Sequence, residues 1–180
     1  YDEFRRLLIE EVKSKTVGDP YDDSTFTGPM ISEKDAERVE AWLGEAVDRG
    51  ATVALGGTRD GAVFHPTIVE AAPDDSKLMT EELFGPVVCL QRAASFEGAI
   101  ERSNATPFGL QAGVFTNRLD RVRMAFAELE FGGVVINDSS ATRADAMPYG
   151  GVKASGLGRE GIRSAMDALT EERTLLLTGR

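Results

Sequence analysis

Glu81-Glu82-Leu83-Phe84-Gly85-Pro86-Val87-Val88-Cys89-Leu90 is the stretch whose reading decides the fold. Pro86 pushes the residue before it toward extended geometry, so Gly85-Pro86 is a break rather than a helical turn. The apolar run Val87–Leu90 that follows reads as a strand. Helical and strand patterns alternate outward from it in both directions. Toward the N-terminus, Pro66–Val69 reads as a short strand or an edge strand, and Thr52–Leu55 as another, ended by a Gly56-Gly57 turn. Before these, Ser32 opens a helix with Asp35 three residues on, a variant of the capping box. Ala36, Val39, Leu43, Ala46 and Val47 form its apolar stripe, and Gly50 is the expected left-handed residue after its end. Phe4, Leu7, Leu8 and Val12 predict a helix over 3–16, stopped by Gly18-Asp19-Pro20.

Toward the C-terminus, Ser95 caps a helix over 95–103, and Ala112–Phe115 is a strand. Asn117 is the expected cap of a helix reaching about Glu130, with Leu119, Val122, Ala125, Phe126 and Leu129 on one face. Gly132-Gly133 ends it, Val134–Ile136 reads as a buried strand, and a Gly-rich loop spans 138–160. A helix over 161–168 and a strand over 173–177 close the chain. Strands alternating with helices imply an α/β fold, a mainly parallel sheet flanked by helices. Sites in such sheets gather at strand ends, which singles out the loops 80–86 and 138–160.

The 180 residues are enough for one domain of ordinary size with a core that needs no disulfide or metal. Hydrophobic residues at 42% and charged residues at 28% are those of a globular protein. No apolar run is long enough for a transmembrane helix, and the start of the chain shows no secretory pattern. The net charge of −10 argues against nucleic-acid binding, which draws its affinity from Lys and Arg on phosphates. The single cysteine and single histidine exclude an internal disulfide and a multi-Cys or His-pair metal site. A cytoplasmic location is the expectation.

Five features carry chemistry or its imitation. The segment 81–86 joins carboxylates to an aromatic ring on a rigid turn. A carboxylate can accept both hydroxyls of a sugar diol and the ring suits a flat cofactor; the plainer reading is an exposed helix end and a buried Phe. The run 150–161 holds five glycines in twelve residues. It fits neither a phosphate-binding loop nor the dinucleotide fingerprint, and reads more simply as a tight crossing of the domain. Cys89, between Val88 and Leu90 with no basic neighbour, reads as a core thiol, and His65 as a structural or surface residue. Arg143 and Asp145 stand in the polar loop: an arginine there could clamp an anionic substrate, or the two could form a surface pair.

Nine stretches in order resemble the C-terminal part of the NAD(P)-dependent aldehyde dehydrogenase superfamily, across essentially the whole chain. They are Gly18-Asp19-Pro20; Gly28-Pro29-Met30-Ile31; Gly50-Ala51 with Gly56-Gly57; Pro66-Thr67; Glu81 to Pro86; Asn104 with Phe108-Gly109-Leu110; Val114-Phe115-Thr116; Val135-Ile136-Asn137; and Pro148 to Lys153 with Ser155-Gly156. The resemblance implies that residues 1–170 are part of a catalytic domain and that 171–180 form an oligomerisation strand. It implies that Glu82 binds the nicotinamide ribose of NAD or NADP and that Phe84 lies near the nicotinamide. It makes 138–149 the loop bordering the aldehyde entrance, with Arg143 and Tyr149 as substrate-binding residues, and Asn137 and the Gly-rich run structural supports.

Arg143-x-Asp145-x-Met147-Pro148-Tyr149 is similar to members acting on small or anionic aldehydes, semialdehydes included. In this family a cysteine thiolate attacks the aldehyde, hydride passes to the nicotinamide, and a glutamate activates the water that hydrolyses the thioester. Cys89 does not match that cysteine, and the nucleophile, the base and the cofactor domain are expected upstream. The chain is thus expected to be a fragment, inactive alone, with no catalytic residue and no metal of its own. Its partners would be a small aldehyde and further copies in a homo-oligomer, with no nucleic acid and no membrane. The alternative is a non-catalytic assembly or interaction module.

Overall fold

The computed structural model describes residues 1–179. The chain divides into two compact units, Tyr1–Ala93 and a second beginning at Ala94.

The first unit is built on α1 (Asp2–Lys13), α2 (Glu33–Asp48), β1 (Thr52–Leu55), β2 (Arg59–Asp60), β3 (Val63–Phe64), β4 (Thr67–Glu70), α3 (Lys77–Thr80) and β5 (Val87–Leu90). The Ser32 side chain caps α2 by accepting from the Asp35 amide at 3.2 Å, while its hydroxyl donates to the Asp35 carboxylate. The stripe read from the sequence is the one that packs: Ala36, Val39, Leu43 and Ala46 are buried against Phe64, Val69 and Leu78. Gly50 takes φ +106°, as a residue ending a helix by left-handed geometry does.

The strand order is β1-β4-β5, with β1 antiparallel and β5 parallel to β4. The segment expected as a possible edge strand is therefore central. It tolerates Pro66 because the proline stands just before the ladder, which opens with the Thr67 amide donating to the Pro86 carbonyl at 2.9 Å. Buried Thr67 is satisfied on both sides, accepting from Gly57 N at 2.8 Å and donating to His65 O at 2.7 Å. Helix α1 is tied to β4 by a carboxylate: Arg5 Nε and Nη2 donate to Glu70 at 2.7 and 2.8 Å, and the Tyr1 hydroxyl donates to it at 2.8 Å.

The second unit holds α4 (Phe96–Asn104), β6 (Phe108–Gly109), β7 (Gln111–Val114), α5 (Leu119–Glu128), β8 (Gly133–Ile136), β9 (Val152–Lys153) and α6 (Ile162–Leu169). The Ser95 hydroxyl accepts from Gly98 N at 3.0 Å, as its capping role requires. Strands β7 and β8 are parallel in the register Gln111↔Gly133 to Val114↔Ile136, and β6 pairs β9 antiparallel. The four-residue ladders formed across helical connections are thus parallel, which makes the fold α/β with helices flanking a mainly parallel sheet. Among the strands, antiparallel pairing is confined to β1 with β4 and to the two-residue strands.

Three expectations change here. Helix α5 starts after Arg118, without a side-chain cap, so Asn117 does not cap it. Strand β8 is half-buried along its length rather than buried. Residues 173–177 form no strand, and Leu175, Leu176 and Leu177 are 81–84% exposed. A strand exists only through its ladder, and among the described residues no neighbour offers one.

Candidate functional site

The two loops singled out by the sequence are held in different ways. In the first unit, segment 81–86 runs from the end of α3 into β5 and lies at the amino end of the parallel pair. The rule that ligands gather at carboxyl ends therefore does not select it. What selects it is its bracing. Arg38 of α2 lies over the Trp42 ring, 4.8 Å from its centroid, and donates Nη2 to the Leu83 carbonyl at 2.8 Å. Gly85 passes so close to α2 that a Cβ would lie 3.0 Å from Val39 Cγ2.

Between these anchors Phe84 takes φ +51°, a conformation that L-residues with a bulky side chain rarely adopt. Its ring is 82% exposed. The buried Phe of the plainer reading is thus overturned: the backbone is strained so as to present the ring to solvent. Glu82 is exposed beside it, and among the described residues no side chain pairs with it. A free carboxylate and a free ring on one braced segment fit the ribose diol and the flat ring of a nicotinamide cofactor.

In the second unit, Asn137 ends β8 at φ +59°. Its amide donates to Val114 O at 2.8 Å and its Oδ1 accepts from Thr116 N at 2.8 Å. This clip joins the carboxyl ends of β7 and β8, and loop 138–160 leaves from there, where the strand-end rule places a site. The Gln111 side chain holds the loop's first arm through the Thr142 carbonyl at 2.6 Å. The Gly-rich run is a crossing, as its plainer reading had it. A Cβ on Gly132 would land on the Gly150 carbonyl oxygen, and one on Gly109 on that of Glu130. Ser155 Oγ accepts from Gly109 N at 2.9 Å, and Lys153 donates to Asn104 O at 2.7 Å.

Arg143 and Tyr149 are brought together: the guanidinium carbon lies 4.5 Å from the ring centroid. The surface pair with Asp145 does not form; Arg143 Nη2 pairs instead with Glu160 Oε2 at 2.9 Å. Glu160 is the partner of Arg143 that the sequence reading missed. Its only local signal was its place beside Arg159 at the end of the Gly-rich run, seventeen positions from its partner.

The remaining candidates are structural. Cys89 is half-buried with Sγ 3.9 Å from Leu78 O, and burial pushes its thiol above the ordinary value, the opposite of what a nucleophile needs. The His65 amide donates to Thr58 O at 3.0 Å, continuing the β2–β3 turn. No group of His, Cys, Asp and Glu able to hold a metal ion occurs among the described residues, and no helix is long and apolar enough to cross a membrane.

The sequence profile of the aldehyde dehydrogenase family matches residues 1–175. The chain is 47% identical to 3-sulfolactaldehyde dehydrogenase of Priestia megaterium over 177 residues, which are 98% of this chain and 37% of that protein. Among solved structures it is similar to aldehyde dehydrogenase 21 of Physcomitrella patens in complex with the reaction product succinate. There the TM-score is 0.90 at 44% identity, over 93% of this chain and 35% of the other. It is also similar to glyceraldehyde-3-phosphate dehydrogenase of Methanocaldococcus jannaschii complexed with NADP, with a TM-score of 0.87 at 45% identity, over 92% and 36%. The chain spans little more than a third of the length of the relatives it matches.

Proposed function

The chain belongs to the aldehyde dehydrogenase family, and from that membership we propose that the protein it forms part of oxidises a small anionic aldehyde to a carboxylic acid with NAD or NADP. The observation that carries the anionic part is the Arg143 guanidinium, held against Tyr149 in a loop leaving the carboxyl ends of β7 and β8. Its fork of donors suits a carboxylate, sulfonate or phosphate. The relatives named above support this choice, since 3-sulfolactaldehyde, succinate and glyceraldehyde 3-phosphate each carry one of these groups.

In this reading Glu82 accepts hydrogen bonds from the nicotinamide ribose hydroxyls, Phe84 lies near the nicotinamide ring, and Arg143 and Tyr149 meet the distal end of the substrate. The cofactor supplies the hydride acceptor; this chain's residues bind and orient. Residues 1–170 are then the C-terminal portion of a catalytic domain. Cys89 is the chain's one cysteine and its thiol is disfavoured as thiolate, so the isolated chain lacks dehydrogenase activity. NAD(P)-dependent aldehyde turnover by the pure 180-residue chain would contradict this.

The test is Arg143→Ala in the full-length protein. The KM for an anionic aldehyde rises about tenfold, the scale of a lost charge-assisted hydrogen bond at a half-exposed site, while that for a neutral aldehyde changes little. Equal changes would sink the reading.

A second reading, an assembly role through residues 171–180 in a cytoplasmic homo-oligomer, is favoured by the exposed Leu175, Leu176 and Leu177. An unpaired apolar segment suits pairing with a strand edge of another copy.

A further inference from the structure

Arg143 is held from two sides. Its guanidinium lies over the Tyr149 ring, and its Nη2 pairs with Glu160 at 2.9 Å. The two holders are themselves joined through the backbone. Tyr149 N donates to Glu160 O at 3.1 Å and Glu160 N donates back to Tyr149 O, an isolated antiparallel bridge. Arg159, the residue before Glu160, ties this bridge to the Gly-rich crossing by donating Nη1 to the carbonyls of Gly151 at 2.9 Å and Gly158 at 2.7 Å. Gly150 is pressed against Gly132 at the start of β8. The ring and the carboxylate that meet Arg143 thus stand on one small frame anchored to the sheet.

We propose that Glu160 is a positioning residue that sets the Arg143 guanidinium for the distal anion of the substrate. This rests on the reading of Arg143 as the anion-binding residue and adds to it a reason why the arginine is ready before substrate arrives. A free arginine side chain has rotamer entropy to lose on being fixed. Here the carboxylate and the ring fix it in the unliganded protein, so less of that loss falls on binding. A guanidinium has five N–H donors. Among the described residues Arg143 gives one hydrogen bond, from Nη2 to Glu160. The other donors remain for an incoming carboxylate, sulfonate or phosphate. Asp145 is closer in sequence but does not hold the arginine, whose Nη2 goes to Glu160.

The test compares 3-sulfolactaldehyde with lactaldehyde, its neutral analogue lacking the sulfonate, in the full-length protein carrying Glu160→Gln, Glu160→Asp, Arg143→Gln, or Glu160→Gln with Arg143→Gln. The readout is the ratio of kcat/KM for the two substrates, in which any general effect on the enzyme cancels. Glu160→Gln lowers the ratio about three- to tenfold, through KM for the sulfonated aldehyde. Glu160→Asp restores part of it, and Glu160→Gln lowers it no further once Arg143 is Gln. An unchanged or raised ratio in Glu160→Gln, with Arg143→Gln still lowering it, would overturn the positioning role and leave the anion-binding reading standing. A ratio that Arg143→Gln does not move would remove both.

Discussion

The two units of the chain are held together by different means. The first has a side-chain core: Val39, Phe64 and Val69 are wholly buried, with Leu43 and Leu78 around them. In the second, Ile100 and Ala125 are the buried apolar side chains among the described residues, while Phe115, Leu119, Phe126, Ile162, Met166 and Leu169 are exposed. Its order comes instead from backbone lying on backbone at glycines, from the Asn137 clip and from side chains bonded to carbonyls. The difference teaches why the frame that meets Arg143 is carried on a glycine-rich crossing. Where side chains do not fill a core, a loop is fixed by close approach, and only glycine permits it.

Phe64→Ala against Phe126→Ala in the same chain breaks this contrast most sharply if it is wrong. Loss of the fully buried ring destabilises by about 3–5 kcal/mol. Loss of the ring that is 79% exposed changes stability by about 0.5 kcal/mol or less. Denaturant unfolding of both variants measures it, and a large effect at Phe126 would show that the second unit has a side-chain core after all. Gly132→Ala comes next: one methyl group meets the Gly150 carbonyl and costs about 1–3 kcal/mol, the range for overpacking. Hydrogen exchange should then rise at Gly133, whose amide donates to Leu110 O at 3.1 Å, and leave β4 untouched.

A smaller effect separates the ion pairs. Arg5 holds the Glu70 carboxyl below the usual carboxylate range, against the opposing effect of burial. Folding therefore favours the ionised form. The resulting stability is present above the unfolded value of about pH 4.3 and is lost as pH falls through the lower folded value. Glu70→Gln costs about 1 kcal/mol near neutral pH, and the gap to wild type closes in acid. In the second unit Asp120 is also held low, by Arg118, but that pair is exposed. Asp120→Asn is expected to change stability less than Glu70→Gln, as urea unfolding at neutral and acid pH will show.

What was legible in the sequence was what is local. Ser32 and Ser95 cap their helices because the bond from an N-cap hydroxyl reaches three residues along the chain. The α2 stripe is buried as its spacing says. Strands β2, β3, β6 and β9 leave no pattern to read, since two residues carry no periodicity, and α3 is a single turn. Asn137 reads from the sequence only as a support, and its clip to Thr116 is a contact across the β7–β8 pair that no spacing reveals. The candidate site is half legible. Glu82, Phe84, Arg143 and Tyr149 stand on the loops that were singled out, but the exposure of Phe84 follows from a positive φ forced between Arg38 and Gly85. Glu160 became visible only when a loop folded back on itself.

The most direct measurement is the kcat/KM of the full-length protein for 3-sulfolactaldehyde and for lactaldehyde, with NAD and with NADP. A preference of about tenfold or more for the sulfonated aldehyde, with the carboxylic acid as product, is the result predicted by an arginine set for a distal anion. Equal turnover of the two, or a preference for the neutral one, would contradict it.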